Sequence, residues 1–401
     1  MATMFPEYCD EQTRCPNCDA RGLRLFYSVE HIPAHSCLLM HSREAALSYP
    51  KGDLCLGFCP RCGFVTNTRF DIANNEYSTN YEETQAFSPT FNAFAGGLAQ
   101  DLVEKHELHG KRVLEIGCGK GEFLVLMCEL GGCSGIGIDP GYRPERTTSE
   151  AASRITFIND LYDSRYAHLE ADFIVCRHTL EHISPTLDFL RCLRKNIGDR
   201  DGTLVFFELP DVMRVLREGA FWDIYYEHCT YFTAGSLSRV FRAAGFEVLE
   251  LTRAYDEQYL LITARPHDGP SEPRLQQEDD LADTEQGVER FRDVAGTTIA
   301  KWHRDISDWT AAEKRVVLWG SGSKAVAFLA TLQITEAIPY VVDINPHKHG
   351  KFMPGTGQQI IEPSALKSLR PDVVVVMNPV YLDEIGADIK AMGLAAKLVA
   401  L

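Results

Sequence analysis

Three glycines, Gly117, Gly119 and Gly121, follow the apolar run Arg112-Val113-Leu114-Glu115-Ile116 and precede Glu122-Phe123-Leu124-Val125. A strand that runs into a glycine turn and then a helix lets backbone approach a ligand closely, because no Cβ intervenes and the first helical N–H groups are unpaired. A second apolar run, Ser134-Gly135-Ile136-Gly137-Ile138, ends in Asp139, 18 residues after Gly121. An acidic residue at the tip of the neighbouring strand can take two ribose hydroxyls. This unit is expected to bind a nucleoside-type cofactor. Glu115, on the strand itself, would be unwelcome beside a pyrophosphate but suits a cofactor with a cationic amino-acid end.

A second pattern is made of sulfur. Seven of the 13 cysteines lie before residue 63, and four form Cys15-Pro16-Asn17-Cys18 and Cys59-Pro60-Arg61-Cys62. Each pair can place two thiolates on one tetrahedral ion, so the two together predict a closed Cys₄ zinc site. Such a site has no open coordination position and should hold structure rather than do chemistry. The separation of the pairs predicts an inserted hairpin, and Cys9, Cys37 and Cys55 read as packed thiols, Cys9 also as a spare ligand.

The elements that must position these residues fall into an α/β pattern. Strands are expected at Arg112–Ile116, Ser134–Ile138, Ile155–Ile158, Phe173–Cys176 and Gly202–Phe207. A helix is expected over 88–108, another over 237–244, and a terminal strand pair at Phe246–Leu251 and Gln258–Ala264. The chain divides into a zinc-binding domain (1–70), a cofactor domain (71–266), a linker with helices (267–310) and a smaller Rossmann-like domain (311–401). Within the linker part, Asp279 to Trp309 reads as one or two solvated helices that act as a spacer. In the last part, Arg315–Trp319 runs into Gly320-Ser321-Gly322-Ser323-Lys324-Ala325, and Pro339–Val342 ends in Asp343. That loop permits a dinucleotide or a phosphate, and Lys324 with Ser321 and Ser323 favours the phosphate.

Composition narrows the class. No apolar run approaches the ~18 residues of a membrane span, and the N-terminus lacks the regions of a signal peptide, so a soluble cytoplasmic protein is expected. In that compartment the cysteines should be thiols or metal ligands. A formal charge of −16 argues against non-specific nucleic-acid binding. An anionic substrate would need a local basic pocket.

The run Glu-x-Gly-x-Gly-x-Gly at Glu115–Gly121 resembles motif I of class I S-adenosylmethionine (SAM) methyltransferases. The stretch Ala171-Asp172-Phe173-Ile174-Val175-Cys176-Arg177-His178-Thr179-Leu180-Glu181-His182-Ile183 looks like the fourth strand of that domain and the loop that faces methyl donor and acceptor. Over nearly the whole chain the order of parts resembles the sugar C-methyltransferases of deoxysugar biosynthesis. Val342-Asp343-Ile344-Asn345-Pro346-His347-Lys348-His349-Gly350 looks like that family's C-terminal motif, and Ile224-Tyr225-Tyr226-Glu227-His228-Cys229-Thr230-Tyr231-Phe232 like its Ile-Tyr-His-Glu-His-x-x-Tyr-Phe.

The resemblance implies a central class I SAM methyltransferase sheet, C-methylation of a nucleotide-linked keto-deoxysugar, SAM as cofactor and a structural zinc ion. It implies His228 as the base, Glu227 as a group that contacts the sugar or orients the histidine, and Tyr225 and His182 around the acceptor. Either Tyr77 or Tyr81 would close over it. Gly117, Gly119, Gly121, Asp139, Glu115, Asp160 and His178 fall to the cofactor, and Gly320, Ser321, Gly322, Ser323, Lys324 and Asn345 to the nucleotide sugar. The chemistry asks for these types: abstraction of a proton next to a ketone suits a histidine near neutral pH, and an enolate oxygen needs a donor such as tyrosine. The chain departs from the family at Tyr226, where the family has its first histidine, at His31–Cys37, and at Tyr81–Gln85. Transfer to oxygen or nitrogen, a nicotinamide on the C-terminal loop, and a non-catalytic zinc-knuckle binding protein are the other readings.

Overall fold

A computed structural model describes residues 5–6, 8–74, 80–269 and 275–401; Tyr77 lies outside them. The N-terminal sheet begins with β1 (Tyr8–Arg14), β2 (Arg21–Pro33), β3 (Lys51–Phe58) and β4 (Val65–Asn67), each antiparallel to the next. The β2–β3 pair is the hairpin expected between the cysteine pairs, and it carries the short helix Arg43–Ser48 at its tip.

The central sheet contains β5 (Arg112–Ile116), β6 (Ser134–Ile138), β7 (Ile155–Ile158), β8 (Phe173–Arg177) and β9 (Leu204–Pro210), all parallel. A two-residue strand, β10 (Thr230–Tyr231), then leaves this sheet and pairs with β4, Thr230 opposite Thr66. The chain returns through β11 (Phe246–Ala254) and β12 (Tyr259–Pro266). The order is β11-β12-β9-β8-β5-β6-β7, and β12 alone runs against its neighbours. A seven-stranded sheet with one reversed strand inserted next to the edge is the class I SAM methyltransferase arrangement. The order reverses between β5 and β8, which puts the ligand crevice at the carboxyl ends of those two strands.

The C-terminal sheet is wholly parallel: β13 (Val316–Trp319), β14 (Tyr340–Val342), β15 (Gln359–Ile361), β16 (Val373–Val376) and β17 (Lys397–Ala400), in the order β15-β14-β13-β16-β17. All four residues of β16 are buried, as a strand covered on both faces requires.

The expectation of solvated spacer helices at 279–309 is wrong. Leu281–Ala311 is one continuous helix, and Val288, Phe291, Ala295, Trp302, Ile306 and Trp309 along it are buried. Those positions repeat at three, four or seven residues, an apolar stripe that the many charges on the other face disguise. Phe291 meets Phe26 and Tyr27 edge-on at 5.7 and 5.4 Å, while Trp302 meets Phe328 at 5.1 Å. The helix ties the N-terminal sheet to the C-terminal one. Among the described residues no helix is long and apolar enough to cross a membrane.

Candidate active site

The loop after β5 forms the cofactor end. Gly117 has φ 71°, and a Cβ there would lie 2.0 Å from Thr179 Oγ1, so this position needs glycine for its conformation and for the close approach of the β8 loop. Asp139 accepts hydrogen bonds from the N–H of Gly119 (2.9 Å) and of Gly141 (2.6 Å), which fixes its carboxylate at the loop with lone pairs to spare. Glu115 is buried; burial pushes its carboxyl up to about 8 although Arg177 opposes this. Its Oε2 has no hydrogen-bond partner among the described residues. An orphaned acid of this kind fits an incoming ammonium, which would supply the missing donor and the counter-charge. Asp160, at the rim, binds Tyr166 Oη at 2.7 Å and Arg165 at 2.8 Å.

Lys120 sits inside the glycine loop and was not singled out by sequence. Its buried ammonium donates to the carbonyls of Tyr81 and Gly141 and to Glu83. Glu82 takes a bidentate pair from Arg146 (2.9 and 3.2 Å) and one bond from Asn345 Nδ2 (3.0 Å), and Gln85 accepts from Tyr381 Oη. The Tyr81–Gln85 run is a polar seam between the central and C-terminal sheets, which accounts for its composition.

Beyond the loop lie the histidines. His178 has φ 46°, a left-handed conformation rare for a side chain of this size. Its Nε2 meets Glu208 Oε1 at 2.9 Å, and Arg177 Nε meets Glu208 Oε2 at 2.6 Å. Burial opposes these charges, but Glu208 and Glu181 outweigh it and raise His178 to about 9, and Arg177 with His178 hold Glu208 down at about 2. His228 is the opposite case: burial, reinforced by His182, His178 and Lys324, holds it well below the usual histidine range. Near neutral pH one histidine is a cation and the other a free base. Burial also keeps the Tyr225 hydroxyl protonated; its ring lies 4.1 Å from that of His228.

Three backbone bonds hold the 225–230 turn in place. His228 N–H donates to the Tyr225 carbonyl (3.2 Å), Cys229 N–H to Glu181 (3.0 Å), and Asn67 N–H to Cys229 (2.9 Å). Because β10 follows at once, the turn is in effect the edge of the N-terminal sheet. Glu227 corrects an expectation. It is buried behind the cavity wall, where Oε2 pairs with His35 Nδ1 at 2.7 Å and Oε1 accepts from Ser323 Oγ at 3.4 Å. The histidine its carboxylate meets is His35; its carbonyl takes His182 Nδ1 at 3.1 Å. Tyr226, the departure from the family pattern, packs over Gly52, where a Cβ would lie 2.2 Å from its ring, and its hydroxyl accepts from Asp71 N–H at 2.9 Å. It does not reach the cavity.

In the C-terminal loop, Ser323 Oγ takes a bond from Ser36 Oγ at 2.7 Å, and Ser321 donates its N–H (2.9 Å) and Oγ (2.5 Å) to Asp343. Lys324 Nζ pairs with Asp223, which Arg214 also holds at 3.1 Å. The lysine charge is thus compensated within the protein, contrary to its reading as a free phosphate ligand.

One cavity of about 1200 Å³ is lined by Glu115 and Asp139, by His178, His182, Tyr225 and His228, and by Tyr81, Ser323 and Asn345. The cysteine pairs lie elsewhere, among Leu23, Phe64, Phe232 and Leu237. Cys15 and Cys62 sulfurs are 3.6 Å apart, Cys18 and Cys59 3.5 Å, and all four lie within 4.8 Å of one another. A zinc tetrahedron with ~2.3 Å bonds has edges of about 3.8 Å, so the four residues fit one ion.

Two family models match the chain, a methyltransferase domain over residues 90–251 and a C-methyltransferase C-terminal domain over 265–399. The C-methyltransferase NovU of Streptomyces niveus is 26% identical over 343 residues, 82% of this chain and 80% of its own length. Among solved structures, a Burkholderia thailandensis 1,6-didemethyltoxoflavin-N1-methyltransferase aligns with TM-score 0.34 and 20% identity over 43% of this chain and 79% of that one. The methyltransferase CalO1 of calicheamicin biosynthesis aligns with TM-score 0.35 and 16% identity over 44% and 55%; the fold assignment rests on strand order, not on these. With a methyltransferase domain followed by a C-methyltransferase C-terminal domain, the chain is an S-adenosylmethionine-dependent methyltransferase, similar across both matched parts to the C-methyltransferases.

Proposed function

We propose that this enzyme methylates a carbon next to the ketone of a nucleotide-linked keto-deoxysugar, through an enolate made by His228. The observation that supports this most is that one cavity is lined by Glu115 and Asp139, by Ser323 and Asn345, and by the buried His228. SAM, when bound, supplies an electrophilic methyl group. Gly117, Gly119, Gly121, Asp139 and Glu115 would hold it, with Asp160 and His178 nearby. His228 removes the α-proton, Tyr225 and His182 offer donors to the developing oxygen charge, and Tyr81 lines the acceptor end. The backbone N–H groups of Gly322, Ser323 and Lys324, at the start of the helix Ser323–Thr331, face the nucleotide, while Gly320 and Ser321 shape the loop through their own bonds to Val342 and Asp343. His35, Ser36 and Glu227 brace that wall from behind.

The N-terminal residues 1–70 would carry one structural zinc ion on Cys15, Cys18, Cys59 and Cys62, and the protein would work in a reducing cytoplasm, in keeping with 13 unpaired cysteines. Residues 71–266 would form the cofactor domain and 311–401 the acceptor domain.

Incubation with a nucleotide-linked keto-deoxysugar and SAM carrying a ¹³C methyl tests the reading. A product whose new methyl shows one-bond coupling to a ring carbon supports it. A methyl found on oxygen or nitrogen would sink it. Metal analysis of freshly purified protein should give one zinc per chain, and Cys62→Ser should lower the melting temperature rather than remove turnover selectively.

A further inference from the structure

We propose that Glu181 is the carboxylate that governs the protonation of His228, a positioning role that rests on the reading of His228 as the base. Glu181 stands in the short helical turn Leu180–His182 after β8, is 2% exposed and lies on the cavity wall. Neither side-chain oxygen has a hydrogen-bond donor among the described residues. A buried carboxylate without donors is costly to keep, and such groups gather where a charge is to be handled.

What faces it is imidazole. His178 Nδ1 is 3.6 Å from Oε1, His228 Nε2 is 3.9 Å away, and a ring nitrogen of His182 lies within 4.8 Å. Glu208 is the nearer counter-ion of His178, so Glu181, which also acts on His178, stands between the two rings with its Oε1 in reach of His228. The backbone sets this pairing, since the Glu181 carbonyl accepts both Cys229 N–H (3.0 Å) and Thr230 Oγ1 (3.2 Å) and so clamps 228–230 beside it. The remaining groups around His228 cannot serve. Tyr225 and Tyr231 are neutral rings at 4.1 and 6.1 Å, Lys324 is cationic, and Glu227 is turned to His35.

The step balances with this residue in place. The α-C–H bond breaks, its proton joins one nitrogen of His228 and its electron pair becomes the enolate. The enolate carbon then takes the methyl as the sulfur–methyl bond breaks, and the imidazolium returns its proton to water. Burial keeps His228 neutral and ready to accept. Glu181 Oε1 stands 3.9 Å from His228 Nε2, about 1 Å beyond hydrogen-bond length, and a carboxylate that near favours the charged ring by about 1–3 pH units.

The test needs no acceptor. The ¹⁵N-histidine-labelled full-length chain, saturated with S-adenosylhomocysteine, is titrated by NMR, and His228 is identified by the signal lost in His228→Asn. Glu181→Gln should move the His228 midpoint down by about one unit or more, with SAM affinity near wild type. Glu181→Asp should move it partway, which keeps the test alive if the glutamine variant does not fold. Equal midpoints in wild type and variants, or a His228 that stays neutral down to unfolding in all of them, overturn the proposal. Full turnover by His228→Asn would instead remove the base reading and leave the titration result standing.

Discussion

The two parallel units begin alike and end differently. Each has a strand, a glycine loop, a helix and an acidic residue at the tip of the second strand: Asp139 in one, Asp343 in the other. In the central unit the loop leaves polar groups unanswered, since Glu115 Oε2 has no partner among the described residues and Asp139 bonds only two backbone N–H groups there. In the C-terminal unit Asp343 takes the N–H and hydroxyl of Ser321 and the N–H of Asn345, with Lys348 at 3.8 Å, and Lys324 is neutralised by Asp223. The same local pattern therefore makes one loop that awaits a ligand's charges and one whose charges are answered from within.

Exchanging the acids should break that comparison most sharply. Asp139→Ala should weaken SAM binding a hundredfold or more, about 3 kcal/mol, because the two charge-assisted bonds proposed between it and ribose would be lost. Asp343→Ala should lower the melting temperature and leave SAM affinity unchanged. Calorimetric titration of both variants checks this, and equal losses of affinity would erase the distinction.

Glu115→Gln should cost about tenfold in SAM affinity, in the range of one hydrogen bond to a charged group. The same variant should lose its effect for an analogue that lacks the amino group, measured by competition.

The central unit should also respond to pH. Glu208 is lowered from 4.5 to about 2, so its stabilisation is present above about pH 4.5 and lost as pH falls toward 2. His178 is raised from 6.5 to about 9, so its contribution is full below about pH 6.5 and lost as pH rises through 9. Thermal melts from pH 5 to 10 should show the central sheet weakening on the alkaline side, and Glu208→Gln should flatten that limb. The smallest effect belongs to Lys324→Met, which should leave SAM affinity unchanged and alter acceptor KM only a few-fold, in steady-state assays.

The central strands were legible because they are short apolar runs bounded by glycine and acid, and Arg112–Ile116, Ser134–Ile138 and Ile155–Ile158 stand where sequence puts them. The long helix 281–311 was misread because its stripe is sparse and its other face is charged. The strand pairing of Thr230 with Thr66 joins residues 164 apart, which no local period can announce. Of the site, the motif residues were legible, but His35 and Glu181 were not: each matters through what the fold brings against it, Glu227 in one case and two histidines in the other. The signal available for Glu208 was its place at the carboxyl end of β9, the side of a parallel sheet on which ligands bind.

One measurement reaches the central claim, that His228 removes a proton from carbon inside this cavity. A nucleotide-linked keto-deoxysugar is incubated in D₂O with enzyme and S-adenosylhomocysteine, and loss of its α-proton signal is followed by NMR. The wild type should exchange that proton without methyl transfer, and His228→Asn should slow the exchange by about 10²–10⁴-fold. No exchange by the wild type, or equal exchange by the variant, would contradict the account.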